Sequence, residues 1–143
     1  MSRKQRILFR IIFFLYIATV LLLCFCQFNS VPHVPRTFLG FPTDKVVHFC
    51  MFLPFPILAF LAFDQFTDTV PATLGFAFGT FLLGALLAMG TEWGQATFTN
   101  YRSGDRLDLM ADFLALGIST VIIIVWDIVK QYLSRRKACK ESS

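Results

Sequence analysis

Apolar residues run along this chain in four long blocks separated by shorter polar stretches. The first block covers residues 7–28 and carries no charge after Arg10. The second, residues 46–63, has His48 and Cys50 as its only titratable side chains. The third runs over about 69–91 and the fourth over about 108–129. At ~1.5 Å rise per residue, about 20 helical residues cover the ~30 Å hydrocarbon core of a bilayer. Each block is close to that length. The pattern predicts an all-α integral membrane bundle of four transmembrane helices, forming a single domain over residues 1–143.

Local signals refine the blocks. The basic start of the first resembles a secretory signal. The apolar run exceeds the usual ~7–15 residues, however, and no A-x-A cleavage site follows, so an uncleaved helix is expected. Residues 29–45 read as a loop, because Pro32, Pro35, Pro42 and Gly40 oppose a long helix. Pro54 and Pro56 lie in the middle of the second block. Each removes a backbone donor, so that helix is expected to kink or break there. A turn over 64–68 leads into the third block, where Gly75 and Gly79 form a G-x-x-x-G pair and Gly84 and Gly90 continue the small residues. Small residues let helices approach closely in lipid. In a segment this rich in Gly and Ala, the pair specifies no particular contact. Residues 96–107 read as a second polar loop.

Charge orients the bundle. The chain is 56% hydrophobic and only 15% charged, against about 25% charged in an ordinary soluble domain. Its net charge of +4 does not mark a nucleic-acid partner, because the basic residues flank apolar runs instead of forming a folded basic face. Arg3, Lys4, Arg6 and Arg10 lie at the start, and Lys130, Arg135, Arg136, Lys137 and Lys140 at the end. The 64–68 turn has none, and the two longer loops hold Arg36, Lys45, Arg102 and Arg106. Four spans return both termini to one side, and the positive-inside rule makes that side the cytoplasm. The cysteines match neither a disulfide framework nor a zinc pattern. Cys24, Cys26 and Cys50 sit in apolar runs as small filler, and Cys139 lies in the basic tail.

One feature of the chain opposes its general apolarity. A charge at the centre of a membrane helix costs roughly 2.5–3.5 kcal/mol, yet ionisable residues gather at the ends of three blocks. Asp44, Lys45 and His48 open the second at i, i+3 and i+4 spacings, on one helical face. Glu92 and Gln95 close the third at i, i+3. Asp105, Asp108 and Asp112 open the fourth at i, i+3 and i+7, with Arg102 and Arg106 in the preceding loop. The predicted topology brings all of these to the outer interface, where Glu92, Arg102 and Asp108 are expected to converge with His48 nearby. The plainer interpretation is mutual ion pairing that pins the helices; the other is a functional site. A metal centre needs three or four ligands in place. One His and several acids could hold a hard cation, but no motif assigns one, so neither metal nor cofactor is expected. Ser103 or Thr91 could serve as a nucleophile, though nothing in the sequence sets either beside His48.

Three segments carry a family resemblance: residues 44–49 (DKVVHF), residues 92–95 (EWGQ) and residues 102–112 (RSGDRLDLMAD). In order and position they resemble the VanZ-like family, small bacterial membrane proteins with a D-K-x-x-H opening, then E-x-x-Q, then R…D-x-x-x-N. The likeness spans about 40–120. The matching positions are Asp44, Lys45, His48, Glu92, Gln95, Arg102 and Asp108. Asp112 stands where the family usually has Asn, and Ala115 where Gly is common. The resemblance implies a multi-pass protein of the bacterial inner membrane. It supplies no molecular activity, since the family is named only for a factor associated with teicoplanin resistance. Three functions follow as expectations. The cluster binds or acts on a polar head group of a lipid or cell-wall precursor, with Lys45 and Arg102 holding an anion and Glu92 or Asp108 with His48 moving a proton. Alternatively the chain is a non-catalytic scaffold or partner subunit, or a small transporter.

Overall fold

The computed structural model describes residues 2–25, 37–38, 40–98 and 106–141. Helix α1 (Arg3–Phe25) is followed by a two-residue antiparallel ladder of β1 (Thr37–Phe38) with β2 (Phe41–Pro42), and then by α2 (Thr43–Phe52), α3 (Pro54–Phe63), a 3-10 turn (Asp64–Phe66), α4 (Val70–Phe98) and α5 (Arg106–Glu141). The β pair is closed by Gly40 at φ +83°, a left-handed conformation that a residue with a Cβ rarely adopts. Helices α2 and α3 with the 3-10 turn form one stretch. Among the described residues, four stretches are therefore long and apolar enough to cross a bilayer: Arg3–Phe25, Thr43–Phe66, Val70–Phe98 and Arg106–Ala138. This is an all-α, multi-pass membrane architecture.

Helix α5 is the hub, packing against α2, α3 and α4, while α1 lies on α3. Phe13, Val20 and Cys24 of α1 meet Phe52, Phe55, Ala59 and Ala62 of the second span, Ala88 of α4, and Ala115 and Leu116 of α5 in the core. The outer surface is just as apolar. Phe14, Leu15, Leu83, Leu86, Ile122 and Trp126 are all exposed. Helices that are hydrophobic all round are membrane spans, and here lipid covers what the neighbouring helices do not.

The second span breaks where its prolines require. Leu53 keeps helical dihedrals and its N–H donates to the Phe49 carbonyl at 3.0 Å. Pro54 has no N–H for Cys50, and Pro56 none for Phe52, so the ladder stops and restarts at Leu53. At the same level the Tyr16 hydroxyl of α1 donates to the Met51 carbonyl.

Contacts at the two ends fix the up-and-down order. Arg6 pairs with Asp64 at 3.2 Å, and Arg10 donates to the Ala62 carbonyl at 3.2 Å while lying over the Phe63 ring. Gln131 of α5 donates to the Thr67 carbonyl at 3.0 Å. The start of α1, the turn after α3 and the later part of α5 therefore share one end, as four spans demand. The starts of α2 and α5 and the end of α4 share the other.

Two helices outrun their apolar blocks. Helix α4 continues through Phe98, taking the first three residues of the predicted 96–107 loop, and α5 continues to Glu141. Residues 130–141 contain neither Gly nor Pro, so nothing in the backbone stops α5 where the apolar run ends. Its 36 residues extend roughly 54 Å, well beyond the hydrocarbon core. The glycines also divide. A Cβ added at Gly75, Gly79 or Gly90 would meet nothing within 4 Å, whereas one at Gly84 would press on Leu116 and Phe55. Close approach in α4 therefore occurs at Gly84, and at Gly94 against the Phe25 ring of α1, and not at the G-x-x-x-G pair.

Candidate functional site

The start of α2 presents His48 inward, one turn ahead of the fully buried Phe52. On α5 the same logic turns Asp108 and Asp112 inward, on the face that continues through Ala115, Leu116 and Ser119. On α4 the inward face ends in Thr91, Glu92 and Gln95. The three faces meet, and they bury four ionisable side chains: His48 is 2% exposed, Glu92 7%, Asp108 3% and Asp112 0%.

His48 is at the centre. Its Nδ1 lies 3.3 and 3.4 Å from the two carboxylate oxygens of Asp112 and 3.7 Å from Glu92 Oε1. Its Nε2 lies 3.8 Å from Asp108 Oδ2. An ionised carboxylate only accepts, so beside an ionised Asp112 the facing nitrogen is a donor. Asp108 turns its other oxygen, Oδ1, to Lys45 Nζ at 2.5 Å, and Lys45 reaches Asp44 Oδ2 at 3.1 Å. Asp44 is the exposed rim of this chain of contacts. Burial strengthens the pairings among His48, Glu92, Asp108 and Asp112, since the local dielectric there is far below that of water.

The predicted residues separate into groups. Lys45, His48, Glu92, Asp108 and Asp112 come together, and Asp44 flanks them. Gln95 faces α1, where its Nε2 donates to the Cys24 carbonyl at 2.8 Å. It thus ties α4 to α1 and is no part of the His48 contacts given above. Arg102 and Asp105 lie outside the described residues. Chemically, the group offers acids and an imidazole for proton transfer, a lysine for an anion, and three possible ligands. His48, Glu92 and Asp108 each present one ligand atom, all within 4.8 Å of one another.

Sequence reasoning gave no role to a second buried polar node at the opposite end. Asp127 of α5, 1% exposed, accepts from the Thr73 hydroxyl at 2.6 Å and from Gln131 Nε2 at 2.9 Å. A signal was available: Asp127 and Gln131 are one turn apart on α5, and Thr73 lies one turn inside α4. What the sequence lacks is the pairing of the two helices.

No family model, no curated protein and no solved structure matches the chain.

Proposed function

We propose that this multi-pass protein is VanZ-like, resides in the bacterial inner membrane with both termini in the cytoplasm, and uses the His48 cluster to engage the polar head group of a lipid or cell-envelope precursor. The three motif segments support the family. The nine basic residues at the chain ends, against four in the two longer loops, support the orientation. That orientation puts the cluster at the outer face. A single observation carries the site: three separate helices of a largely apolar bundle each give inward positions to His48, Glu92, Asp108 and Asp112, which meet. Apolar residues would pack these positions at lower cost, and intramembrane ionisable groups serve function by default. Lys45 and Arg102 are the cations for an anionic head group, and His48 with Glu92 or Asp108 is the proton-transfer pair.

A second reading, a non-catalytic scaffold or partner subunit, draws on the near-complete burial of the cluster and on the Lys45–Asp108 pair. A closed set of ion pairs pins helices without needing a ligand.

The experiment compares the wild-type chain with Glu92→Gln, Arg102→Ala and the double variant, each extracted in native membrane discs. Lipids and envelope precursors retained in the discs are identified, and the detergent melting temperature is measured. A site predicts loss of a retained head-group compound at unchanged melting temperature. A pinning role predicts lower melting temperatures in the single variants, partly restored in the double one. Identical retained compounds and identical cellular behaviour in all four proteins sink the site reading.

A further inference from the structure

The cluster combines an imidazole and two carboxylates from three helices in a set compact enough to share one ion. We infer that His48, Glu92 and Asp108 bind a single divalent transition-metal ion of the Zn2+ or Mn2+ class. The inference rests on reading the cluster as a site and names what the site holds.

The donor set is the first argument. An imidazole with two carboxylates suits first-row transition ions, whereas Mg2+ and Ca2+ favour oxygen-only sets. The three ligand atoms already lie within 4.8 Å of one another. Two donors held at ~2.1 Å by a tetrahedral ion lie roughly 3.4 Å apart. His48 Nε2 and Asp108 Oδ2 are 3.8 Å apart, so a few tenths of an ångström of closure admits the ion between them. Glu92 Oε1 lies 3.7 Å from Nδ1, so Glu92 joins the ion on the Nε2 side by rotating about its side-chain torsions.

The supporting contacts are the second argument, and they are independent of the first. Both oxygens of Asp112 face Nδ1 of His48, and a hydrogen held on that nitrogen leaves Nε2, on the side of Asp108, as the ligand atom when the ion is bound. A carboxylate behind a histidine is the usual way a metal-binding imidazole is oriented. Asp108 is divided in the same sense. Lys45 holds Oδ1, and Oδ2 is the oxygen turned toward His48.

The ion also resolves a difficulty in the proposed function. The described cluster presents three carboxylates beside Lys45 and His48, which is a poor surface for a phosphate. A bound dication offsets that negative charge and is itself the local cation, and three protein ligands leave a coordination position for a water or for a head-group oxygen.

The test uses the full chain in native discs. Metal content is read by mass spectrometry. The protein is then stripped with chelator, and its melting temperature is followed against Zn2+, Mn2+, Mg2+ and Ca2+ separately. The expected result is about one ion per chain and a saturable rise with Zn2+ or Mn2+ that exceeds any rise with Mg2+ or Ca2+. His48→Gln and Glu92→Gln should abolish that rise. Asp112→Asn, which acts through His48, should raise the ion concentration needed for half of that rise about tenfold to a hundredfold. Asp127→Asn, at the other end, should leave it unchanged. The wild-type titration stands by itself if a variant fails to fold. A wild-type protein that holds no metal and responds to none of the four ions overturns the inference. So does a response confined to Mg2+ or Ca2+, or one that survives in both His48→Gln and Glu92→Gln. Metal bound as described but no head group retained leaves this inference standing and removes the proposed function. A head group retained equally by the chelated protein, with no metal response, does the reverse.

Discussion

Replacing Gly84 by alanine should destabilise the bundle, although the same change at Gly79, five residues away on the same helix, should not. A Cβ at Gly84 would stand 2.6 Å from Leu116 Cδ2 and 3.1 Å from Phe55 Cδ1. Carbon atoms pack comfortably at about 3.5–4.0 Å, so Leu116 has to retreat by about 1 Å. It has little room to do so, being fully buried with Phe55 almost so. Overpacking of this kind costs about 1–3 kcal/mol. At Gly79 a Cβ meets nothing within 4 Å, and the substitution should be neutral or slightly stabilising through helix propensity. The assay is reversible unfolding in mixed micelles, scored as the fraction folded against denaturing detergent. A cycle with Leu116→Ala identifies the clash. Truncating Leu116 frees the space, so Gly84→Ala should cost at least about 0.5 kcal/mol less on that background than alone. Equal costs on the two backgrounds, or a Gly84→Ala variant as stable as Gly79→Ala, would refute the assignment of Gly84 as a point of close approach.

Other expectations follow from the two ends of the bundle. Thr73→Val removes a donor from the buried Asp127 carboxylate and should cost roughly 0.6–2 kcal/mol in the same micelle assay. Adding Asp127→Leu, which removes the carboxylate left short of a donor, should recover part of that loss; a further drop would count against the pairing. Arg6→Met and Asp64→Asn should each lower stability by about 0.2–1 kcal/mol, with the double variant losing less than the sum, as for any partly exposed ion pair. In a cysteine-free background, a single Cys at Thr37 or Thr99 should react with a membrane-impermeant thiol reagent on intact cells, and one at Ser142 should not. The opposite pattern would invert the proposed orientation.

The spans could be read directly from the sequence because membrane insertion depends on local composition. A run of about 20 apolar residues closes its own backbone hydrogen bonds and needs no partner to define it. The break at Leu53 was legible for the same reason, since the missing N–H groups of Pro54 and Pro56 belong to those residues alone. Helix ends were less so. The apolar run records where the hydrocarbon stops, whereas α5 runs on past it through Glu141. The shared face of Lys45 with His48, and of Asp108 with Asp112, also followed from helical spacing. Which faces meet was beyond reach, because it depends on how each helix is rotated about its axis, and that is set by packing among side chains distant in sequence. Only the tertiary structure placed Asp112 behind His48 and sent Gln95 toward Cys24 of α1. It also set close approaches at Gly84 and Gly94 and joined Asp127 to Thr73. Spacing along one helix fixes which residues are neighbours on it; the packing of α2, α4 and α5 decides which of those neighbours share a site.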